Sequence, residues 1–159
     1  MRTALIALVL SALLLPMTAQ AAKPASEDAV KTAVTQQLSH YEAALNASDV
    51  DGVMSLYADD PVFMPQNSLP AVGRKAVREA YRQVFDAIKL DVRFTIDEIR
   101  PLSRDWVFAR TRSDGTVKTL TGDLQARSEG NQEIFLLHRE TDGQWRFARY
   151  IFSTTNPSK

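Results

Sequence analysis

The hydrophobic period of this chain changes once, near Lys89, from helical to alternating, and that change constrains the fold class more than any single motif. Upstream, Val30, Val34, Leu38, Tyr41 and Leu45 recur at helical spacing. Ser26 is placed to cap that helix, with Glu27 and Asp28 at the positive end of its dipole. Ser48 or Asp49 caps a second, shorter helix whose Val50, Val53, Met54 and Tyr57 share one face. That helix is expected to end at Asp59-Asp60-Pro61, because proline disfavours helical geometry in the residue before it. Val62-Phe63-Met64 reads as a brief strand. After a loop with Asn67, Pro70 and Gly73 comes a third helix, with Val77, Ala80, Tyr81, Val84, Phe85 and Ile88 opposite Arg74, Lys75, Arg78, Glu79 and Arg82.

Downstream, Val92, Phe94 and Ile96 alternate with Arg93, Thr95 and Asp97, the signature of a half-buried strand. Trp106 to Ser113 is the next strand. Asp114-Gly115 predicts a hairpin turn, since both residues tolerate positive φ, and Val117 to Leu120 would be its return arm. Glu133 to Arg139 and Trp145 to Phe152 follow, joined through Asp142-Gly143. Helical stripes must bury against one face of such a sheet. The expected fold is α+β: three N-terminal helices packed on a curved, mainly antiparallel sheet that encloses a conical interior.

The first 21 residues carry a different signal. Arg2, an apolar run from Ala4 to Leu15, Pro16 and the small-residue pattern Ala19-Gln20-Ala21 read as an export signal cleaved after Ala21. The run is shorter than the ~20 residues that span a bilayer, so no membrane anchoring is expected after cleavage. The mature protein is expected to be periplasmic or secreted, a single domain over residues 22–159. The chain holds no cysteine, so packing alone must stabilise it. Cations and anions number 19 each, and removing residues 1–21 takes away only Arg2. That balance gives no excess of cations to drive nucleic-acid binding.

The Tyr57-Ala58-Asp59-Asp60 segment, Gly73 before the third helix and the closing Trp145-Arg146-Phe147-Ala148-Arg149-Tyr150 strand together resemble the nuclear transport factor 2-like (SnoaL-like) superfamily. Within it, Trp106 to Arg112, Asn131-Gln132-Glu133-Ile134-Phe135 and Ala148-Arg149-Tyr150 to Asn156-Pro157 look most like the SgcJ/EcaC group. The resemblance implies a conical α+β barrel, a ligand pocket between sheet and helices, and a homodimer formed through the outer sheet face. It does not fix the chemistry, because relatives range from isomerases, cyclases and dehydratases to binding and assembly domains. A ketosteroid isomerase-type base would fall at Pro65, which takes no proton.

Glu133 is the residue on which chemistry is expected, as catalytic acid or base, because its strand parity matches Phe135 and Leu137. A carboxylate buried with them needs a partner. Arg149, in step with Trp145, Phe147 and Ile151, is the expected cation. Arg110 shares a face with Trp106 and Phe108. A fixed arginine in an apolar pocket would favour an anionic ligand. The expected binding set is Tyr41, Tyr57, Phe63, Met64, Arg110, Phe135 and Arg149. His40 and His138 lie on different elements without companion ligands, so no metal site is expected. No Gly-rich phosphate loop stands between a strand and a helix, so no nicotinamide or flavin cofactor is expected. The alternative is a dimeric binding or assembly domain without chemistry, whose interior is filled by its own side chains.

Overall fold

The computed structural model describes residues 26–122 and 124–156. The expected export signal lies outside the described residues. The first helix, α1 (Glu27–Ala47), starts where Ser26 Oγ accepts the Ala29 amide at 3.2 Å. It stops at Ser48, whose left-handed conformation turns the chain and whose N–H donates back to Ala44 and Leu45. Asp49 then caps α2 (Val50–Ser55), accepting the Gly52 amide at 2.9 Å.

The second helix is shorter than its periodicity predicts. It ends at Ser55, and Tyr57 to Asp60 belong to a strand, β1 (Tyr57–Met64), so Asp59 and Asp60 are not a helix end. The cause is tertiary: Leu56 O accepts the Phe147 amide at 2.8 Å, and strand pairing begins at Tyr57, with one residue between it and the helix. Arg74 stabilises the junction, its guanidinium donating to the carbonyls of Met54, Tyr57 and Ala58 at 2.8–3.0 Å. A short β2 (Ala71–Val72) precedes α3 (Arg74–Ala87), so the third helix follows two strands rather than leading the chain.

Four long strands complete the domain: β3 (Ile88–Pro101), β4 (Trp106–Thr119), β5 (Ala126–Arg139) and β6 (Trp145–Thr154). The six-stranded sheet has the order β2-β1-β6-β5-β4-β3, antiparallel except where β1 meets β6. It is therefore mixed, and α+β as expected. Asp114-Gly115 makes no hairpin; β4 runs straight through it, with Gly115 opposite Val92 on one side and Glu129 on the other. Glycine is needed there for a different reason. A Cβ on Gly115 would sit 2.1 Å from Asp91 O, so the residue admits close approach of β3 rather than a reversal.

The helices fill the concave side. Val34, Leu38, Tyr41, Val53, Val77 and Tyr81 pack with Val107, Ala109, Phe135, Leu137 and Phe147 in one continuous core. The sheet's far edge, β3, comes round to meet α1. Asn46 Oδ1 accepts the Val92 amide at 2.9 Å while its Nδ2 donates to the Val92 carbonyl at 2.8 Å. One turn earlier, Glu42 accepts the Phe94 amide at 2.7 Å. Side chains of α1 thus replace the missing neighbour strand along an otherwise open edge. Replacing Asn46 by Ala should leave a donor and an acceptor of Val92 unpaired and cost about 1–3 kcal/mol in urea denaturation; a variant as stable as the parent would show that the edge closes without it.

Candidate functional site

Strand parity builds the site. In β5, Glu129, Asn131, Glu133, Phe135 and Leu137 share the concave face, and in β4 so do Val107, Ala109, Thr111 and Ser113. The β4–β5 register sets Thr111 opposite Glu133 and Ser113 opposite Asn131. Both hydroxyls donate to the Glu133 carboxylate: Ser113 Oγ to Oε1 at 2.6 Å and Thr111 Oγ1 to Oε2. Glu133 is 3% exposed. Asn131 extends the polar row, its Nδ2 donating to Glu129 Oε1 at 3.0 Å and reaching Ser113 Oγ at 3.5 Å.

Opposite this row lie aromatic rings. Tyr150 stacks on Phe135 with centroids 4.3 Å apart and on Phe63 at 5.3 Å; Phe63 also stacks on Tyr81 at 4.9 Å. The hydroxyls in this wall bond to one another: Tyr81 meets Tyr41 at 2.6 Å and Tyr57 at 2.8 Å. Between the two walls is a partly open cavity of about 150 Å³. Its aromatic lining is Tyr41, Phe63, Tyr81, Phe94, Tyr150 and Phe152; its polar lining is Ser113, Glu129, Asn131 and Glu133.

Burial sets the proton affinities. It pushes the Glu133 carboxyl above its ordinary value of 4.5; the Ser113 and Thr111 hydroxyls pull the other way without cancelling it, and the Asp97 carboxylate adds a small upward push. Tyr41, Tyr57, Tyr81 and Tyr150 are all pushed well above the usual phenol range, chiefly by burial, so they remain neutral. For Tyr150 the charge on Glu133 contributes next, which marks the two groups as neighbours.

Of the eight residues expected at the site, Tyr41, Phe63 and Glu133 line the cavity. Tyr57 and Phe135 lie buried behind that lining, touching it through Tyr81 and Tyr150. Met64 is on the other face, because its neighbour Phe63 points inward and Met64 pairs with the exposed Ile151. Arg149 is displaced by a β-bulge: β5 pairs Leu136 with Arg149 but Leu137 with Phe147, leaving Ala148 extra. Beyond it the parity of β6 reverses, Tyr150 turns inward, and Arg149 donates instead to Asp60 O at 2.8 Å. Arg110 occupies the outer face of β4 and pairs with Asp97 at 2.9 Å. The expected Glu133–arginine pair therefore does not form; two hydroxyls stand in its place.

Sequence reasoning did not single out Thr111, Ser113, Glu129, Asn131 or Tyr150. The signal for the first two was available, since Thr111 and Ser113 share parity with Val107 and Ala109, small apolar residues suited to a tightly packed inner face. Among the described residues, no three His, Asp or Glu side chains converge as a metal site would require.

Glu133 also predicts a pH dependence of stability. Its carboxyl ionises at a higher pH in the folded protein than in the unfolded chain, whose value is near 4.5. Folding therefore retains a proton that the unfolded chain releases, and stability falls as pH rises from about 4.5 through the raised native value. Gln does not titrate, so the stability of Glu133→Gln relative to the parent should shift in the variant's favour as pH rises above about 4.5 in paired denaturation curves. A difference that is flat, or moves the other way, would contradict the burial of this carboxyl.

With this geometry in place, the likeness to known proteins is informative. A ketosteroid isomerase-like protein from Erwinia carotovora atroseptica SCRI1043 is 31% identical and superimposes with a TM-score of 0.76 over 79% of this chain and 96% of its own. A nuclear transport factor 2-like superfamily protein from Salmonella enterica subsp. enterica serovar Typhimurium str. LT2 shares 14% identity at a TM-score of 0.73, covering 84% of this chain and 96% of its own. The hexachlorocyclohexane dehydrochlorinase LinA-type3 from Novosphingobium barchaimii LL02 shares 14% identity at 0.69, covering 80% and 88%. These last two show a common fold only. The SnoaL-like domain family matches residues 38–153, most of the chain. The chain belongs to the SnoaL-like domain family.

Proposed function

We propose that this protein binds a small molecule with an apolar body in its interior cavity and moves a proton on it through Glu133, without a cofactor. The observation that carries the reading is the buried carboxylate itself. It faces an aromatic cavity, is held by two hydroxyls rather than neutralised by a cation, and has its proton affinity raised by burial. A carboxylate so placed is a stronger base than one in water and is fixed in aim. The neutral tyrosine hydroxyls are suited to donate to an oxygen on which charge develops. Isomerisation, cyclisation and dehydration all need such a step. The likeness to a ketosteroid isomerase-like protein supports this class of chemistry. Within the family, the Asn131 to Phe135 segment and the closing strand lead us to place the chain nearest the SgcJ/EcaC group.

The same proposal includes export to the periplasm or beyond, with residues 1–21 removed, and a homodimer through the outer sheet face. That face exposes Trp106, Ile134 and Ile151 at 37%, 41% and 43%, side chains that a partner would cover. Native mass spectrometry of the exported protein tests both, since a monomer mass or an intact N-terminus removes the corresponding part.

The chemistry is tested on a ring-sized carbon acid. Cyclohex-2-enone dissolved in D2O should exchange its acidic C–H protons faster with the protein than without, as followed by proton NMR. Glu133→Gln should lower that acceleration by about 10²–10⁴-fold. Equal rates for parent and variant would remove Glu133 from the role. No acceleration by the parent would favour the other reading, a dimeric binding or assembly domain without chemistry.

A further inference from the structure

With both arginines outside, the charge of the cavity has the opposite sign from that expected of an anion site. Its lining includes two carboxylates, Glu129 and Glu133, and no Lys, Arg or His. We propose that the ligand is a small organic cation, a protonated amine on an apolar body of about one ring, with its ammonium on Glu129 and Asn131 and its body against the aromatic wall. This rests on the reading of the cavity as a ligand site and adds the class of ligand.

Asn131 gives the most specific support. Its Oδ1 is buried without a hydrogen-bond partner, while its Nδ2 is committed to Glu129 Oε1. The amide cannot turn over without setting its oxygen against the Glu129 carboxylate, so the free acceptor stays where it is. A buried acceptor left unpaired costs about 1–3 kcal/mol. A ligand that brings a donor removes that cost. The neighbouring groups also lack donors to spare: Glu129 and Glu133 accept only, and the Ser113 hydroxyl is spent on Glu133. An ammonium, with three donors and no acceptor, complements such a row, whereas a carboxylate or phosphate placed on it would face two carboxylates.

Glu129 gives a second, independent support. It is half-buried where Glu133 is buried, so it marks the solvent side of the row, and among the described residues it makes no ion pair. Six aromatic rings complete the enclosure, and their faces attract a cation through the ring quadrupole. Size sets the limit on the body: about 150 Å³ accommodates a benzene-sized group and little more. Glu133 remains deeper than the ammonium, beside the ring body, where a carbon-bound proton would lie.

A charge series tests the inference on the full chain. The 15N-labelled protein is titrated with benzylamine, benzyl alcohol and benzoate at neutral pH, following the amides of residues 129–133. Benzylammonium should bind about tenfold tighter than the alcohol, benzoate should leave these amides unmoved, and Glu129→Gln should reduce the amine to the alcohol's affinity. Equal affinity for amine and alcohol, or binding of benzoate, overturns the cation assignment while the cavity stands as a ligand site. If none of the three shifts these amides, the ligand site falls with it. The ligand series on the parent protein decides the matter even if Glu129→Gln fails to fold.

Discussion

The interior of this protein exists because a helix takes the place of a strand. A six-stranded curved sheet has two edges, and β3 would present unpaired amides to water along its length were α1 not laid across it. Asn46 grips both backbone groups of Val92, Glu42 takes the Phe94 amide, and Lys89 returns a bond to the Asn46 carbonyl at 2.6 Å. These contacts join residues more than 40 positions apart. They turn a sheet with helices on one side into an enclosure, and they place Tyr41, on the same helix, over Phe94, Phe135 and Tyr150.

Enclosure explains the chemistry within. Water is excluded from most of the concave face, so each polar group there must find a partner among its neighbours. Tyr41 and Tyr57 do so by sharing hydrogen bonds with Tyr81. Glu133 does so through two hydroxyls, which orient a carboxylate but supply no full charge to offset its burial. That difference separates a structural ion pair from a poised acid or base: an arginine in the same place would hold the carboxyl ionised, whereas hydroxyls leave its proton affinity high. Asn131 is the exception, with one acceptor unpaired, and it lies in the same row.

Much of the fold was legible because it is local. The stripes of α1 and α3 and the alternation in β3 and β5 are periodic over enough residues to override noise, and Ser26 and Asp49 are caps in fact. Glu133 was readable as inward-facing because its parity with Phe135 and Leu137 is uninterrupted. What was not legible depends on pairing between distant segments. Tyr57 leaves the helical pattern because β6 lies alongside it, and Gly115 resembles a turn glycine until β3 is seen pressed against it. Arg149 shows the sharpest failure. One extra residue, Ala148, reverses the face of everything after it in β6, and nothing in Trp145 to Tyr150 announces a bulge. The candidate site was therefore readable in its carboxylate and in part of its aromatic wall, but not in its charge.

Site-resolved hydrogen exchange addresses the closure most directly. The amides of Val92 and Phe94 are on the outward side of an edge strand, where exchange is ordinarily fast. If α1 seals that edge, both should exchange as slowly as amides paired within β4 and β5, opening only with the whole domain. Exchange at the rate of exposed loop amides would contradict the closure, and with it the enclosed interior on which the behaviour of Glu133 depends.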